Sequence, residues 1–414
     1  EMSASLVGSE MCIRDRMKYL FRIVCAVCLF AGCSNGGKDG MDDLVDRSLE
    51  RAIVQSKLMA SDLISKPGLL PRTIDKEGKL ETSTSRWWCS GFFPGVLWYL
   101  YEVSSDDSLK NYAQEFTKRI EREQYTTTNH DVGFMLYCSF GNGLRLTKDE
   151  SYKKVLLQGS KSLSTRYRPM VGCIRSWDWN KKVWQYPVII DNMMNLEMLM
   201  WASKNSDNPE FSKIARSHAD VTMKNHFRSD YSCYHVVSYD TITGLPEKKN
   251  TCQGYSHESS WARGQAWALY GYTMMYRETK DLRYLEQATN IAKFIINHPN
   301  LPTDKVPYWD FDAPDIPNTL RDASAAAIMA SAFIELSVYA ETNIAKLCLE
   351  TAKIQIKTLS SPEYLSEPNT NCNFILKHSV GNYPGKGEID VPLTYADYYY
   401  VEALVRYKKY VLKK

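Results

Sequence analysis

The stretch that decides the fold is Ile190-Asp-Asn-Met-Met-Asn-Leu-Glu-Met-Leu-Met-Trp-Ala-Ser-Lys204, then Asn205-Ser-Asp-Asn208, then Pro209-Glu-Phe-Ser-Lys-Ile-Ala-Arg-Ser-His-Ala-Asp-Val-Thr-Met-Lys-Asn-His-Phe227. Its 3.6-residue periodicity places helices over 191–204 and 209–227, and the Asn/Ser/Asp cluster between them is a tight turn. A long loop rich in Trp, Asp and Arg leads into the first helix. Outward from here the same unit recurs. Helices are expected at 42–64, 92–104, 108–124, 131–144, 150–167, 261–278, 282–297, 321–338, 342–358 and 395–411, making twelve in all. Sustained period-two alternation is nearly absent. Tight turns such as Ser104-Ser-Asp-Asp107 and Thr279-Lys-Asp281 alternate with long loops, and the long loops precede every second helix. A ring of six helical hairpins needs that alternation, because the inner helices then all start on one face. The fold class expected is all-α, an (α/α)6 barrel. A helical solenoid is the rival, but the inner helices begin at about 92, 131, 191, 261, 321 and 395, steps too uneven for a fixed repeat. No Pro/Gly/Ser-rich linker divides 42–414, which reads as one domain.

The charge is nearly balanced, 51 Lys and Arg against 48 Asp and Glu, which argues against a nucleic-acid partner. Aromatic side chains are abundant, with 10 Trp and 27 Tyr. Flat rings bury the C–H faces of sugars at low entropy cost, although aromatics also dominate ordinary cores.

Residues 1–16 look like a non-native leader. Met17 begins a lipoprotein-type signal over 17–32: Lys18 and Arg22 precede an apolar run, and Ala31-Gly32-Cys33 supplies the lipidation site. An ordinary cleaved signal peptide is the alternative. The polar stretch 33–41 reads as a tether. Export is expected, with a lipid anchor at Cys33 and a location in the periplasm or on the cell surface of a Gram-negative bacterium. Seven further cysteines, widely spaced and without a C-x-x-C pair, suggest buried hydrophobes instead of disulfides or a zinc site. No metal or cofactor is expected, and oligomeric state is not readable.

The entry loops hold the candidate chemistry. Asp131 and Asp191 each open an inner helix, where an Asp serves equally well as an N-cap. Two of them, converging on one mouth with Trp, His and Arg, form a candidate proton donor and acceptor. Burial and mutual repulsion would raise their pKa values, whereas the helix N-termini oppose that. His130 adjoins Asp131, and His235 lies in a β-like stretch. Trp88, Trp177 and Trp267 are candidate sugar platforms, with core packing the alternative, above all for Trp267. Arg263 is a candidate clamp for a planar carboxylate, or else a partner in an ion pair. Ser379, Asn382 and Lys386 in the last entry loop could meet an anionic group on a neighbouring sugar, or could simply be solvated.

Taken together, Trp88-Cys-Ser-Gly-Phe-Phe-Pro-Gly95, His130-Asp-Val-Gly-Phe134, Asp191-Asn-Met-Met-Asn-Leu196, Trp261-Ala-Arg-Gly-Gln-Ala-Trp267 and Asp397-Tyr-Tyr-Tyr-Val-Glu-Ala-Leu404 resemble the unsaturated glucuronyl hydrolases, glycoside hydrolase family 88. The resemblance implies an (α/α)6 barrel that hydrates the C4=C5 vinyl ether of an unsaturated uronic acid at the non-reducing end of lyase-cut oligosaccharides. It further implies that Asp191 is the proton donor and Asp131 the second essential carboxylate. His235, Gln253 and Arg263 would touch substrate, with Trp88 and Trp177 stacking on sugars. Glycosaminoglycan fragments are the expected substrates. An unsaturated rhamnogalacturonyl hydrolase, a sugar epimerase of the same architecture and a non-catalytic glycan-binding lipoprotein are the other readings.

Overall fold

What a helix buries separates the inner ring from the outer. In the computed structural model, which describes residues 40–414, Ala323–Leu336 is buried at every position. Its run of Ala and Ser lets neighbouring helices come close on all sides. The following helix, Thr342–Leu359, buries only Cys348, Thr351, Ala352, Gln355, Ile356 and Leu359. That single stripe marks an amphipathic outer helix.

The inner ring runs through Phe92–Ser104, the helical stretch 132–147, Leu196–Lys204, Ala262–Thr279, Ala323–Leu336 and Thr394–Arg406. The last of these packs back against the first, closing the barrel. The outer helices are Gly40–Ile64, Asp107–Lys118, Glu150–Ser164, Glu210–Asn225, Leu282–Asn297 and Thr342–Leu359. The expected (α/α)6 barrel is thus present among the described residues, with Met41–Lys414 forming one compact unit. Three of the tight turns share one design. A residue in the left-handed region (Ser105, Lys148 or Lys280) ends the inner helix. An Asp (Asp106, Asp149 or Asp281) then caps the outer helix by accepting the N–H two residues on.

Some expected spans differ at their ends. The helix expected over 108–124 stops at Lys118 and continues as a 3-10 turn, Glu121–Tyr125. The stretch 132–147 contains a π-helical segment, Tyr137–Gly141. The helix expected from 191 opens instead as a 3-10 turn, Ile190–Asn195. The entry loops also hold short antiparallel strands, two to five residues long, too short for alternation to show in the sequence. Pro187–Ile189, Val236–Tyr239 and Pro246–Asn250 make a three-stranded sheet, with Ile189 opposite Val236. Ser379–Asn382 pairs with Gly387–Val391 as a hairpin.

The first outer helix is fastened to the end of the chain by Lys408–Asp46 and Lys414–Asp42 ion pairs at 2.8 and 3.0 Å. Gln55 adds a buried hydrogen bond to the Phe374 carbonyl. All seven cysteines in the described residues are free, and Cys89, Cys173, Cys233 and Cys348 are buried, as small hydrophobes would be. The leader, the signal segment and Cys33 lie outside the described residues.

Candidate active site

The six inner helices start at one mouth, and there the two aspartates meet. Asp131 stands at the N-cap position of Val132–Leu136, yet its carboxylate caps nothing. Asp191 lies inside the 3-10 turn and likewise makes no cap bond. The capping alternative therefore fails for both. Asn195 brings the two segments together: its Oδ1 accepts the Phe134 N–H at 2.8 Å. A Cβ on Gly133 would lie 2.7 Å from the Asn195 Cα, so only glycine permits this approach.

Burial decides the electrostatics. It drives the Asp131 carboxyl from 3.8 to about 7, reinforced by the Asp191 charge and opposed by Arg166. Burial also lifts Asp191 to about 6, against the Arg263 charge, a backbone N–H and the Trp267 indole. The helix N-termini do not win this contest.

Each carboxylate faces a neutral histidine. His130 Nε2 is 3.3 Å from Asp131 Oδ1, and burial pushes this imidazole down to about 3. Its Nδ1 meets the Ser176 hydroxyl at 3.4 Å, and that oxygen accepts the Ile189 N–H at 3.0 Å. The Ser176 hydroxyl thus anchors the Nδ1 edge of the ring and leaves Nε2 facing Asp131. His235 follows the same logic. Its Nδ1 accepts the Cys252 and Gln253 N–H groups at 3.1 and 3.2 Å. The proton therefore sits on Nε2, 3.7 Å from Asp191 Oδ2. Burial holds the His235 pKa well below the usual histidine range. The Ile190 N–H bonds to the His235 carbonyl at 3.1 Å, which sets this histidine beside Asp191.

Arg263 corrects an expectation. It is 1% exposed. Its two terminal nitrogens donate to the carbonyls of Val380 and Gly381, to Asp322 Oδ2 at 3.3 Å and to Gln253 Oε1 at 3.2 Å. A guanidinium so committed cannot also clamp a carboxylate bidentately. It ties the hairpin 379–391 and Gln253 to the mouth instead. Trp267 is fully buried against Phe134 and Tyr399, so it is a wall beneath Asp191 and not a sugar platform. Ser379 is also fully buried, behind the hairpin, which removes it from contact with a neighbouring sugar. Trp88 is half-buried against Tyr395, and Trp177 is half-buried against Trp179 and Trp184. Asn382 uses its Oδ1 to accept the Gly385 N–H, and Lys386 is exposed at the hairpin turn.

Two contributors went unnoticed in the sequence. Arg166 is buried, holds Asp178 at 3.0 Å and the Thr127 and Arg175 carbonyls, and lowers the pKa of Asp131. Asn195 is the bracket described above. A cavity of about 590 Å³ lies elsewhere, at the C-terminal ends of the inner helices. Glu197, Arg277, Glu402 and Arg406 line it and neither aspartate does, so its size does not make it the reaction site. Among the described residues no group of three or more His, Cys, Asp or Glu is placed to hold a metal ion.

The model of Glycosyl Hydrolase Family 88 matches residues 70–411. The chain belongs to glycoside hydrolase family 88. An unsaturated glucuronyl hydrolase of Formosa agariphila is 50% identical over 330 residues, 80% of this chain and 82% of that one. An unsaturated chondroitin disaccharide hydrolase of Streptococcus agalactiae is 32% identical over 88% of this chain and 92% of its own. A solved unsaturated glucuronyl hydrolase specific for heparin superposes with a TM-score of 0.87 at 49% identity, covering 90% of this chain and 99% of that one. Like them, this family 88 member is a glycoside hydrolase.

Proposed function

We propose that this chain removes a 4,5-unsaturated uronic acid from the non-reducing end of lyase-generated glycosaminoglycan oligosaccharides. The observation that carries the reading is the pair of buried carboxyls, raised to about 6 and about 7, each facing a neutral imidazole. Near pH 6 a carboxyl raised in this way keeps a substantial protonated fraction that it can give to carbon, and its conjugate base is strong enough to recover a proton from water. Asp191 delivers its proton to C4 of the vinyl ether. As charge develops at C5, water adds there and returns a proton to Asp191. The hemiketal formed at C5 opens to a ketone, and the freed C1 hemiacetal expels the shortened saccharide. No bond is made to the protein. Asp131, with His130 fixed against it, receives a ring hydroxyl and holds the sugar in register. The His235 Nε2–H steadies the Asp191 carboxylate between proton transfers. Trp88 and Trp177 offer flat faces, and Asn382 and Lys386 reach the next sugar.

The resemblance to a heparin-specific relative at 49% identity puts heparin-derived disaccharides first among candidates. Lipid anchoring at Cys33 after export, on the periplasmic or outer surface, belongs to the same proposal: an anchored enzyme would work where lyase products arise.

The test follows the double-bond absorbance with a panel of unsaturated disaccharides. Wild type should consume glycosaminoglycan members, and Asp191→Asn should fold yet lose about 10²–10⁴-fold in rate. Near-wild-type turnover by Asp191→Asn removes it from the mechanism. Activity confined to unsaturated rhamnogalacturonan fragments overturns the substrate assignment.

A further inference from the structure

The rim of the mouth carries aromatic rings that the reaction itself does not use. Trp179 is 53% exposed, on the entry loop that leads to Asp191. It stacks on Trp177 at 4.9 Å with only 15° between the planes, and both rings abut the edge of Trp184. Trp184 is buried against Ile189 and Val236, the neighbours of Ile190 and His235. Asp178, the residue between the two tryptophans in sequence, is gripped by Arg166 and Arg175. Leaving half of an indole in water forfeits the free energy its burial would release. Its plane is nonetheless fixed from behind, so it is preorganised for a flat partner.

Three exposed lysines lie on the same loop and on the sheet strand bonded to it, one of them, Lys248, also 3.8 Å from Glu247. Lys181 and Lys182, after Asn180, are exposed, and Lys248, exposed on the adjoining sheet edge, is fastened to the same loop through the Val183 carbonyl at 3.1 Å. A flat apolar face on a loop that carries lysines matches a sugar of an acidic oligosaccharide, whose C–H face stacks while its carboxylate or sulfate meets the lysines. A second exposed ring, Tyr383, is backed in the same way by buried Trp309 at 4.5 Å and 20°, but the hairpin turn beside it offers a single cation, Lys386.

We infer that Trp179, with Lys181, Lys182 and Lys248, forms a distal subsite for sugars beyond the terminal disaccharide, so that the protein favours longer acidic oligosaccharides over disaccharides. The inference rests on the hydrolase reading above and concerns what lies outside the reacting pair. Its consequence is kinetic: stacking on the distal sugar lowers KM for a tetrasaccharide and leaves the chemical step alone.

The experiment compares kcat/KM for unsaturated di- and tetrasaccharides cut from the same glycosaminoglycan. The tetrasaccharide should be favoured by about three- to tenfold, and Trp179→Ala should bring that ratio down to about one through KM. Calorimetric titration of both saccharides into Asp191→Asn protein, with and without Trp179→Ala, reads the same ratio without turnover. A preference that survives Trp179→Ala, or one abolished by Tyr383→Ala instead, overturns the subsite. So does equal binding of the two saccharides by the Asp191→Asn protein. Failure of wild type to act on either saccharide counts against the hydrolase reading, and the titration still decides the subsite.

Discussion

Asp131→Asn should destroy activity and make the protein more stable. The carboxyl sits at about 7 in the fold against 3.8 for an unperturbed aspartate. A raised carboxyl costs nothing below about pH 4, where folded and unfolded chains both hold the proton. As pH rises from there to about 7, the unfolded chain ionises and the folded one resists, so stability falls; above 7 the loss is complete. The displacement corresponds to at most about 4 kcal/mol. The side chain is 18% exposed, and the water reaching it reduces the figure to roughly 2 kcal/mol. Asparagine fills the same space without the charge. Thermal unfolding at pH 8 should therefore shift upward by about 2–3 °C for a chain of this size, and the gain should shrink by about half or more at pH 5. Turnover of an unsaturated disaccharide, measured on the same samples, should fall by about 10²-fold or more. An unfolding midpoint that drops at pH 8 would refute the claim that burial, uncompensated, sets this carboxyl's pKa.

Arg263→Lys should not rescue Arg263→Ala, because one ammonium cannot serve the Val380 and Gly381 carbonyls, Asp322 and Gln253 together; kcat/KM for both variants should fall together, and a lysine variant near wild type would contradict the bracing role. Exhaustive chelation should leave turnover intact, and inactivation reversed by one divalent ion would reveal a metal requirement. Lys386→Ala should weaken sulfated disaccharides about tenfold relative to unsulfated ones, since Lys386 is exposed at the hairpin turn; equal losses on matched substrates would remove it from sulfate recognition.

The barrel was legible because its signals are local. Asx-rich turns and long Trp-rich loops alternate along the chain, and the structure answers with left-handed residues and Asp caps at the tight ends. The meeting of the aspartates, histidines and Gln253 at one mouth was legible for the same reason, since each sits in a short motif at the start of an inner helix or in its entry loop. What stayed hidden depends on partners far away in sequence. The fate of Arg263 is set by backbone carbonyls more than a hundred residues away, which no motif advertises. Trp267 and Ser379 stand in the right motifs, yet whether a side chain meets solvent or core depends on which neighbour covers it. The bracing Asn195 gave no signal apart from Gly133 opposite it, whose purpose is visible only once the Cα of Asn195 is seen against it.

The closure of the ring has a consequence for how the molecule comes into being. Its final stave, Thr394–Arg406, lies against its first, Phe92–Ser104, and Gly40–Ile64 is clasped by residues near the carboxyl end. Without Thr394–Arg406 the ring is an open trough of five staves with a long apolar seam, and a nascent chain is expected to keep that seam uncovered until this helix is available. A chain lacking Thr394–Arg406 would leave the inner faces of Phe92–Ser104 and Ala323–Leu336 without the helix that packs between them.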